Sequence, residues 1–195
     1  MDDGVIKYVQ HWEKAPPLPE FLISPLEAWR KKLYAQNLIG AYSDGTGYGN
    51  LSFRHRDGFI ITGTQTGHLS ALDEKQYTRV TQVDIHSNEL WCKGPVKASS
   101  EGLTHAACYA LSPEVQAVFH VHNASMWKHY TDEWPTTSVR IPYGTPEMAF
   151  AMEELWKREQ RPLPFYVVMA GHEEGIIVAA RSMDIAGEAL LKAVL

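Results

Sequence analysis

Apolar and polar positions along the chain follow two periods, and the changes between them mark the predicted elements. Leu26, Trp29 and Leu33 recur on one helical face, and Ser24-Pro25-Leu26-Glu27 has the form of a capping box with proline at the first helical position. A helix is therefore predicted to open at Ser24 and to stop before Gly40. The runs LSFRH and FIIT flank Arg56-Asp57-Gly58, whose Asp-Gly pair predicts a tight hairpin, and Ser87-Asn88 is expected to join QVDIH to ELWC in a second. Beyond Ser100 the spacing of Leu103, Ala106, Ala107, Ala110 and Leu111 predicts another helix, and VQAVFHVH, ending at His122, is β-rich. A helix over Pro146 to Glu159, strands on both sides of MAGHEEG and a C-terminal helix from Met183 complete the order. KAPPLPEF carries three prolines that favour extended chain, so residues 1–23 are expected to form an N-terminal arm and residues 24–195 a single domain. Hairpins and helices in this mixed order predict an α/β fold with an antiparallel-rich sheet covered by helices.

Composition narrows the class. With 195 residues and 45% hydrophobic content the chain is long enough to bury one core, and no repeat marks a second unit. A net charge of -5 without a basic run argues against a nucleic-acid surface, although Arg54, Lys93 and Lys97 leave room for a local cationic pocket. No apolar stretch reaches membrane-spanning length, and MDDGVIKYVQHWEK is acidic and polar where a signal peptide is basic and then apolar, so a cytoplasmic protein is expected. Cys92 and Cys108 are too few for a disulfide framework and lack CxxC spacing, so they read as buried thiols. The tryptophans read mainly as core or subunit-contact residues; Trp127 and Trp134, in the polar loop after the β-rich run, are the two candidates for a pocket.

The candidate chemistry centres on residues 97–122. On a strand the two-residue spacing of His120 and His122 points both imidazoles to one face, as metal ligands require, but two polar residues on the solvated face of an edge strand give the same spacing. Ser99-Ser100-Glu101 reads as a helix start with a serine N-cap and Glu101 in the first turn. Free N–H groups, two hydroxyls and the nearby Lys97 make a seat for a phosphate or carboxylate, while Glu101 by itself reads first as a charge that complements the helix dipole. His172 stands in the glycine-flanked MAGHEEG; three histidines converging beside a glutamate would form the open three-nitrogen site of a catalytic zinc. His105 falls on the helical face of Glu101 and is either its partner or a structural histidine. GTGYG, at 45–49, lacks the lysine of a P-loop and reads as a flexible turn that lets the following strand approach a ligand.

In order, GNLSFR (49–54), FIITGTQTG (59–67), KASSEGLTH (97–105), VFHVH (118–122), IPYGTPEMA (141–149) and MAGHEEG (169–175) resemble the class II aldolase/adducin family, which includes fuculose-phosphate aldolase, rhamnulose-phosphate aldolase and ribulose-phosphate 4-epimerase. The resemblance covers roughly residues 26–190. It implies a three-layer α/β/α sandwich with a mostly antiparallel central sheet, a homotetramer, and zinc or another divalent metal such as manganese or cobalt. It further implies His120, His122 and His172 as metal ligands and Glu101 as catalytic acid/base. Asn50, Gly67, Ser99 and Ser100 match the family's phosphate-cradling positions, with Thr64 and Thr66 as helpers. The chain also departs from the pattern. Family members usually carry histidine directly before the glycine of the third motif, where this chain has Glu174, the reserve ligand. The stretch from His122 to Pro142 is short, and the tyrosine proton donor of fuculose-phosphate aldolase has Tyr130 as its distant candidate.

Three neutral imidazoles leave a zinc ion its double charge, which suits stabilising an enediolate beside a carbonyl while Glu101 moves the proton. The expected function is a metal-dependent lyase of the aldolase type acting on a sugar, sugar phosphate or keto acid. Epimerisation, decarboxylation or dehydration on the same scaffold is the alternative. A non-catalytic adducin-like interaction domain is the reading from another class; it gives no physical reason for three histidines and a glutamate to converge. A structural zinc module is disfavoured because three ligands leave coordination open.

Overall fold

Turn residues close the sheet's hairpins, and the computed structural model, which describes residues 5–195, shows how each does so. The first four residues of the expected arm lie outside the described residues. The elements are β1 (Val9–Lys14), α1 (Glu20–Ala35), β2 (Gly40–Ala41), β3 (Gly47–Tyr48), β4 (Asn50–His55), β5 (Gly58–Thr62), β6 (Tyr77–Asp84) and β7 (Glu89–Gly94). They continue with α2 (Gly102–Leu111), β8 (Ala117–His122), α3 (Ala124–Tyr130), α4 (Pro146–Glu159), β9 (Phe165–Val168), β10 (Gly175–Ala180) and α5 (Met183–Ala193).

In the first hairpin the central turn residues are Arg56 and Asp57, with Arg56 at φ 53 and Gly58 already paired to His55. Gly58 is needed for space: a Cβ there would stand 2.0 Å from the Val80 carbonyl oxygen of the neighbouring β6. The second hairpin turns through Asn88 at φ 57, with Asp84 accepting from the Ser87 N–H at 3.0 Å. Helix α1 begins at Glu20, one turn before the predicted Ser24, and carries Pro25 in its interior. Starting earlier lets the helix bury Ile23 as well as Leu26 and Leu33. Pro25 has no N–H for the Phe21 carbonyl, and the Ser24 hydroxyl turns back to that oxygen at 3.5 Å.

The eight-stranded sheet has the order β1-β7-β6-β5-β4-β8-β10-β9, with β2 and β3 forming a separate pair. It is mixed where an antiparallel-rich sheet was expected: β1 runs parallel to β7, while the other paired strands run antiparallel. No hairpin joins β1 to β7, so no turn dictates their relative direction. Along β8 and β10 the side chains divide between two cores. Val118, Ile177 and Ala179 pack with Leu103 of α2 and Met148 and Met152 of α4. Phe119, Val121, Ile176 and Val178 pack with Leu26 and Leu33 of α1 and Leu190 of α5.

A buried polar cluster fixes the loop between β5 and β6 to α1. Arg30, 1% exposed, donates to the carbonyls of Thr66 at 3.0 Å and Leu69 at 2.6 Å. Glu27 accepts from the Leu72 N–H at 2.8 Å and the Tyr77 hydroxyl at 2.7 Å. Among the described residues no helix is long and apolar enough to cross a membrane.

Candidate metal centre

Strand β8 lies inside the sheet, between β4 and β10, so its histidines do not face solvent from an edge. The two-residue period directs His120 and His122 to one face, opposite Asn50 of β4 and Gly175 of β10 in register. His172 arrives on the turn between β9 and β10, which is closed by the His172 N–H on the Met169 carbonyl and the Gly175 N–H on the His172 carbonyl, both at 2.9 Å. Gly175 makes the convergence possible: a Cβ there would stand 2.7 Å from His172 Cδ2 and 3.2 Å from His120 Cε1.

The three imidazoles meet through their ring nitrogens. His122 Nε2 is 3.0 Å from His120 Nε2 and 3.1 Å from His172 Nε2, and all three residues are buried. His120 Nδ1 lies 3.1 Å from the Ile176 carbonyl oxygen, which can only accept, so this nitrogen carries the proton and Nε2 presents a lone pair. Burial, reinforced by His122 and His172, holds the His120 imidazole well below the usual histidine range and therefore neutral. These are the properties of a transition-metal donor set. Zinc-nitrogen bonds of about 2.0–2.1 Å in a tetrahedral site place ligand nitrogens about 3.3 Å apart, close to the two separations from His122, and the three donor atoms all lie within 4.8 Å of one another.

Glu101 stands directly beside the set. Its Oε1 lies 3.5 Å from His172 Nε2, and the residue is 2% exposed. It is the N-cap residue of α2 and the helix starts at Gly102, in place of the predicted serine cap with Glu101 in the first turn. The Ser99 hydroxyl accepts instead from the Glu101 N–H at 3.3 Å, a tight turn that holds the glutamate at the helix entrance.

Asn50 and Ser100 line the same cleft as Glu101 and the three histidines. The buried Asn50 Oδ1 has no hydrogen-bond partner among the described residues. Ser99, Thr64, Thr66 and Gly67 stand apart from the lining. The Ser99 carbonyl accepts from the Tyr8 hydroxyl at 2.6 Å, Thr66 Oγ1 donates to the Gly63 carbonyl at 2.8 Å, and the Thr64 N–H donates to the Lys97 carbonyl at 3.0 Å. Gly67 backs Gly47 and Tyr48: a Cβ on it would come within 2.7 Å of the Tyr48 nitrogen. Glu174, the reserve ligand, is absent from the donor set and accepts from the Tyr42 hydroxyl at 3.3 Å.

Three tyrosines that the sequence did not single out complete the surroundings. Tyr42 approaches His122 Nδ1 at 2.7 Å, the Tyr48 ring lies 5.4 Å from that of His122, and the Tyr143 ring lies 4.5 Å from that of His172. Tyr143 is in turn bonded to the Val5 backbone at 3.2 Å, with Lys7 Nζ 3.8 Å from its ring centre. The signals available were GTGYG and IPYGTPEMA, but nothing local in either announces a partner.

Other candidates do not gather here. Tyr130 donates to the Ala193 carbonyl at 3.1 Å and stacks on Trp134, while Trp127 donates to the Met169 carbonyl at 3.2 Å. Arg54 binds the carbonyls of Tyr109 and Val115, each at 2.8 Å, and Lys93 pairs with Glu13, so these residues form no shared cationic pocket. His105 is fully buried with Nδ1 2.7 Å from the Ser52 hydroxyl, within a structural network that includes Tyr109. A larger cleft, about 640 Å³, opens among Asp84, His86, Phe150 and Trp156, but the convergent donors lie elsewhere, so chemistry rather than volume locates the site.

The family described as Class II Aldolase and Adducin N-terminal domain matches residues 31–191. No curated protein matches the chain. Among solved structures, an L-fuculose 1-phosphate aldolase is similar at 21% identity and a TM-score of 0.65, over 91% of this chain and 84% of that one. L-fuculose-1-phosphate aldolase from Thermus thermophilus is similar at 23% identity and a TM-score of 0.59, over 88% and 85%. YgbL from Escherichia coli, for which an aldolase, epimerase or decarboxylase activity is suggested, is similar at 19% identity and a TM-score of 0.63, over 89% and 84%. At these identities the likeness is one of fold.

Proposed function

The chain belongs to the class II aldolase and adducin N-terminal domain family, and on that premise we propose that it is a metal-dependent lyase of the aldolase type acting on a small sugar, sugar phosphate or related keto acid. One observation carries the reading: three buried imidazole nitrogens converge beside the carboxylate of Glu101. In this reading His120, His122 and His172 hold a divalent metal, zinc or alternatively manganese or cobalt. When bound, such an ion supplies positive charge that polarises a carbonyl and offsets the negative charge developing on its oxygen.

Glu101 is the proton carrier, because its carboxylate faces the donor set from a water-poor position at the entrance of α2. Asn50 and Ser100 orient the substrate's anionic or hydroxyl groups, supported by the partnerless Asn50 oxygen on the cleft wall. Ser99, Thr64, Thr66 and Gly67 serve the same binding function from behind that wall, by placing the backbone that bears it.

Epimerisation, decarboxylation or dehydration remains the second reading, supported by the activities suggested for YgbL at the level of fold. A non-catalytic interaction domain gives no account of a buried nitrogen cluster next to a buried carboxylate. The same proposal includes a cytoplasmic homotetramer and a three-layer α/β/α arrangement supported by the two cores on the sheet; of the expected arm of residues 1–23, Val9–Lys14 pair into the sheet as β1 and Glu20 to Ile23 open α1, so these segments are counted with the domain. The test is a screen of zinc-, manganese- and cobalt-loaded protein against phosphorylated and free ketoses and keto acids, with Glu101→Gln in parallel. Cleavage lost in the variant supports the lyase; turnover of the same substrate without carbon-carbon cleavage selects the second reading.

A further inference from the structure

Tyr42 stands between His122 and Glu174. Its oxygen is 2.7 Å from His122 Nδ1, and its hydroxyl donates to Glu174 Oε2 at 3.3 Å. A phenol has one proton to give, and the Glu174 carboxylate oxygen is placed to accept it. With that proton directed to Glu174, the phenol oxygen must accept from His122, so Nδ1 carries the N–H. In a neutral imidazole this leaves Nε2 as the lone pair, and His122 Nε2 is the atom that meets His120 and His172. His120 reaches the same state through the Ile176 carbonyl. If Tyr42 gave its proton to His122 instead, Nε2 would be protonated and unable to coordinate.

The backbone offers a second observation. Glu174 has φ 66, in the left-handed region that favours glycine. Its carbonyl accepts from the Asn123 N–H at 3.0 Å, a role that any residue fills. The turn geometry thus gives no reason for a glutamate, whereas the contact with Tyr42 does. We infer that Glu174, acting through Tyr42, is a positioning residue that fixes His122 in its Nδ1–H tautomer and so prepares its Nε2 for the metal. The inference rests on the metal-site reading above. At 3.3 Å the Glu174 bond is long for O–H···O, and its role is to offer the Tyr42 proton an acceptor other than His122.

The test uses the full chain, titrated with zinc against a chromophoric competitor, as wild type, Glu174→Gly, Tyr42→Phe, the double variant and His120→Ala. Each relay variant is expected to weaken zinc binding by about 10–100-fold, with the double variant no worse than the singles. Glycine suits the left-handed turn, so zinc-free Glu174→Gly should melt no lower than wild type, which separates the relay from a folding role. Imidazole nitrogen chemical shifts of zinc-free protein should show His122 moving from Nδ1–H to Nε2–H in Glu174→Gly. Unchanged affinity and tautomer in both single variants would overturn the inference. So would a loss in Glu174→Gly that Tyr42→Phe does not share, since that pattern belongs to a direct ligand. Tight wild-type binding with silent relay variants leaves the metal reading standing; a wild type that takes up no zinc, or binding unchanged by His120→Ala, removes the metal reading and the inference with it.

Discussion

Glu101 Oε1 and His172 Nε2 are separated by 3.5 Å, and the proposed role of Glu101 in proton transfer, as against a charge that only complements a helix dipole, rests on this proximity. Glu101→Gln preserves shape and leaves the imidazoles in place, so it should retain bound metal while lowering turnover by about 10²–10⁴-fold, the usual worth of a general acid/base. Equal turnover in the variant and wild type, measured at saturating metal, would assign Glu101 to the helix terminus. His105 carries a different prediction. Burial pushes its imidazole down to about 3, below the unfolded value of about 6.5, so the folded state holds it neutral. Its contribution to stability is fully present above about pH 6.5 and is lost as pH falls toward 3, at up to about 1.4 kcal/mol per pH unit, because the unfolded chain binds the extra proton. Denaturant unfolding at a series of pH values should show this slope, reduced by about one proton in His105→Gln. A slope unchanged by that substitution would remove His105 from the account.

Helices α1 and α5 approach closely where Gly187 meets Trp29. A Cβ on Gly187 would stand 2.1 Å from the Trp29 ring, whose Nε1 donates to Asp184 at 2.7 Å. Gly187→Ala should therefore destabilise the fold by about 1–3 kcal/mol through overpacking, read as a lower Tm with the metal site intact. Such contacts also explain what the sequence could and could not announce. Hairpins were legible because turn chemistry is local: Arg56-Asp57-Gly58 and Ser87-Asn88 lie where the chain reverses, although Gly58 serves the approach of β6 instead of the turn itself. The extent of α4, with proline at its start, was equally local. The start of α1 was not, since the Ser24-Pro25 signal yields to burial of Ile23 one turn earlier. Strand β1 escaped notice because its partner β7 is remote in sequence and no turn joins them. At the site, residue type and spacing raised the histidines and Glu101 as candidates and the family resemblance supplied their expected roles, but Tyr42 contacts His122 across 80 positions, a proximity that only the folded sheet creates.

The N-terminal segment and the C-terminal half meet at the candidate centre. Tyr8 bonds the Ser99 carbonyl at 2.6 Å, and Val5 bonds Tyr143, whose ring lies against His172. The proposed tetramer would extend this convergence across subunits, with α3, which bears Trp127, and the turn after it, which bears Trp134, as a candidate contact. Light scattering over a micromolar concentration series should return four times the chain mass; a monomer throughout would refute the assembly without touching the centre. The histidine centre itself is tested most directly by metal content. After loading with zinc and exhaustive dialysis, mass spectrometry should find one zinc ion per chain in wild type and in Glu101→Gln, and little in His120→Ala, His122→Ala or His172→Ala. Retention of a full equivalent by the histidine variants, or its loss only when Glu174 is replaced directly, would contradict a metal held by His120, His122 and His172.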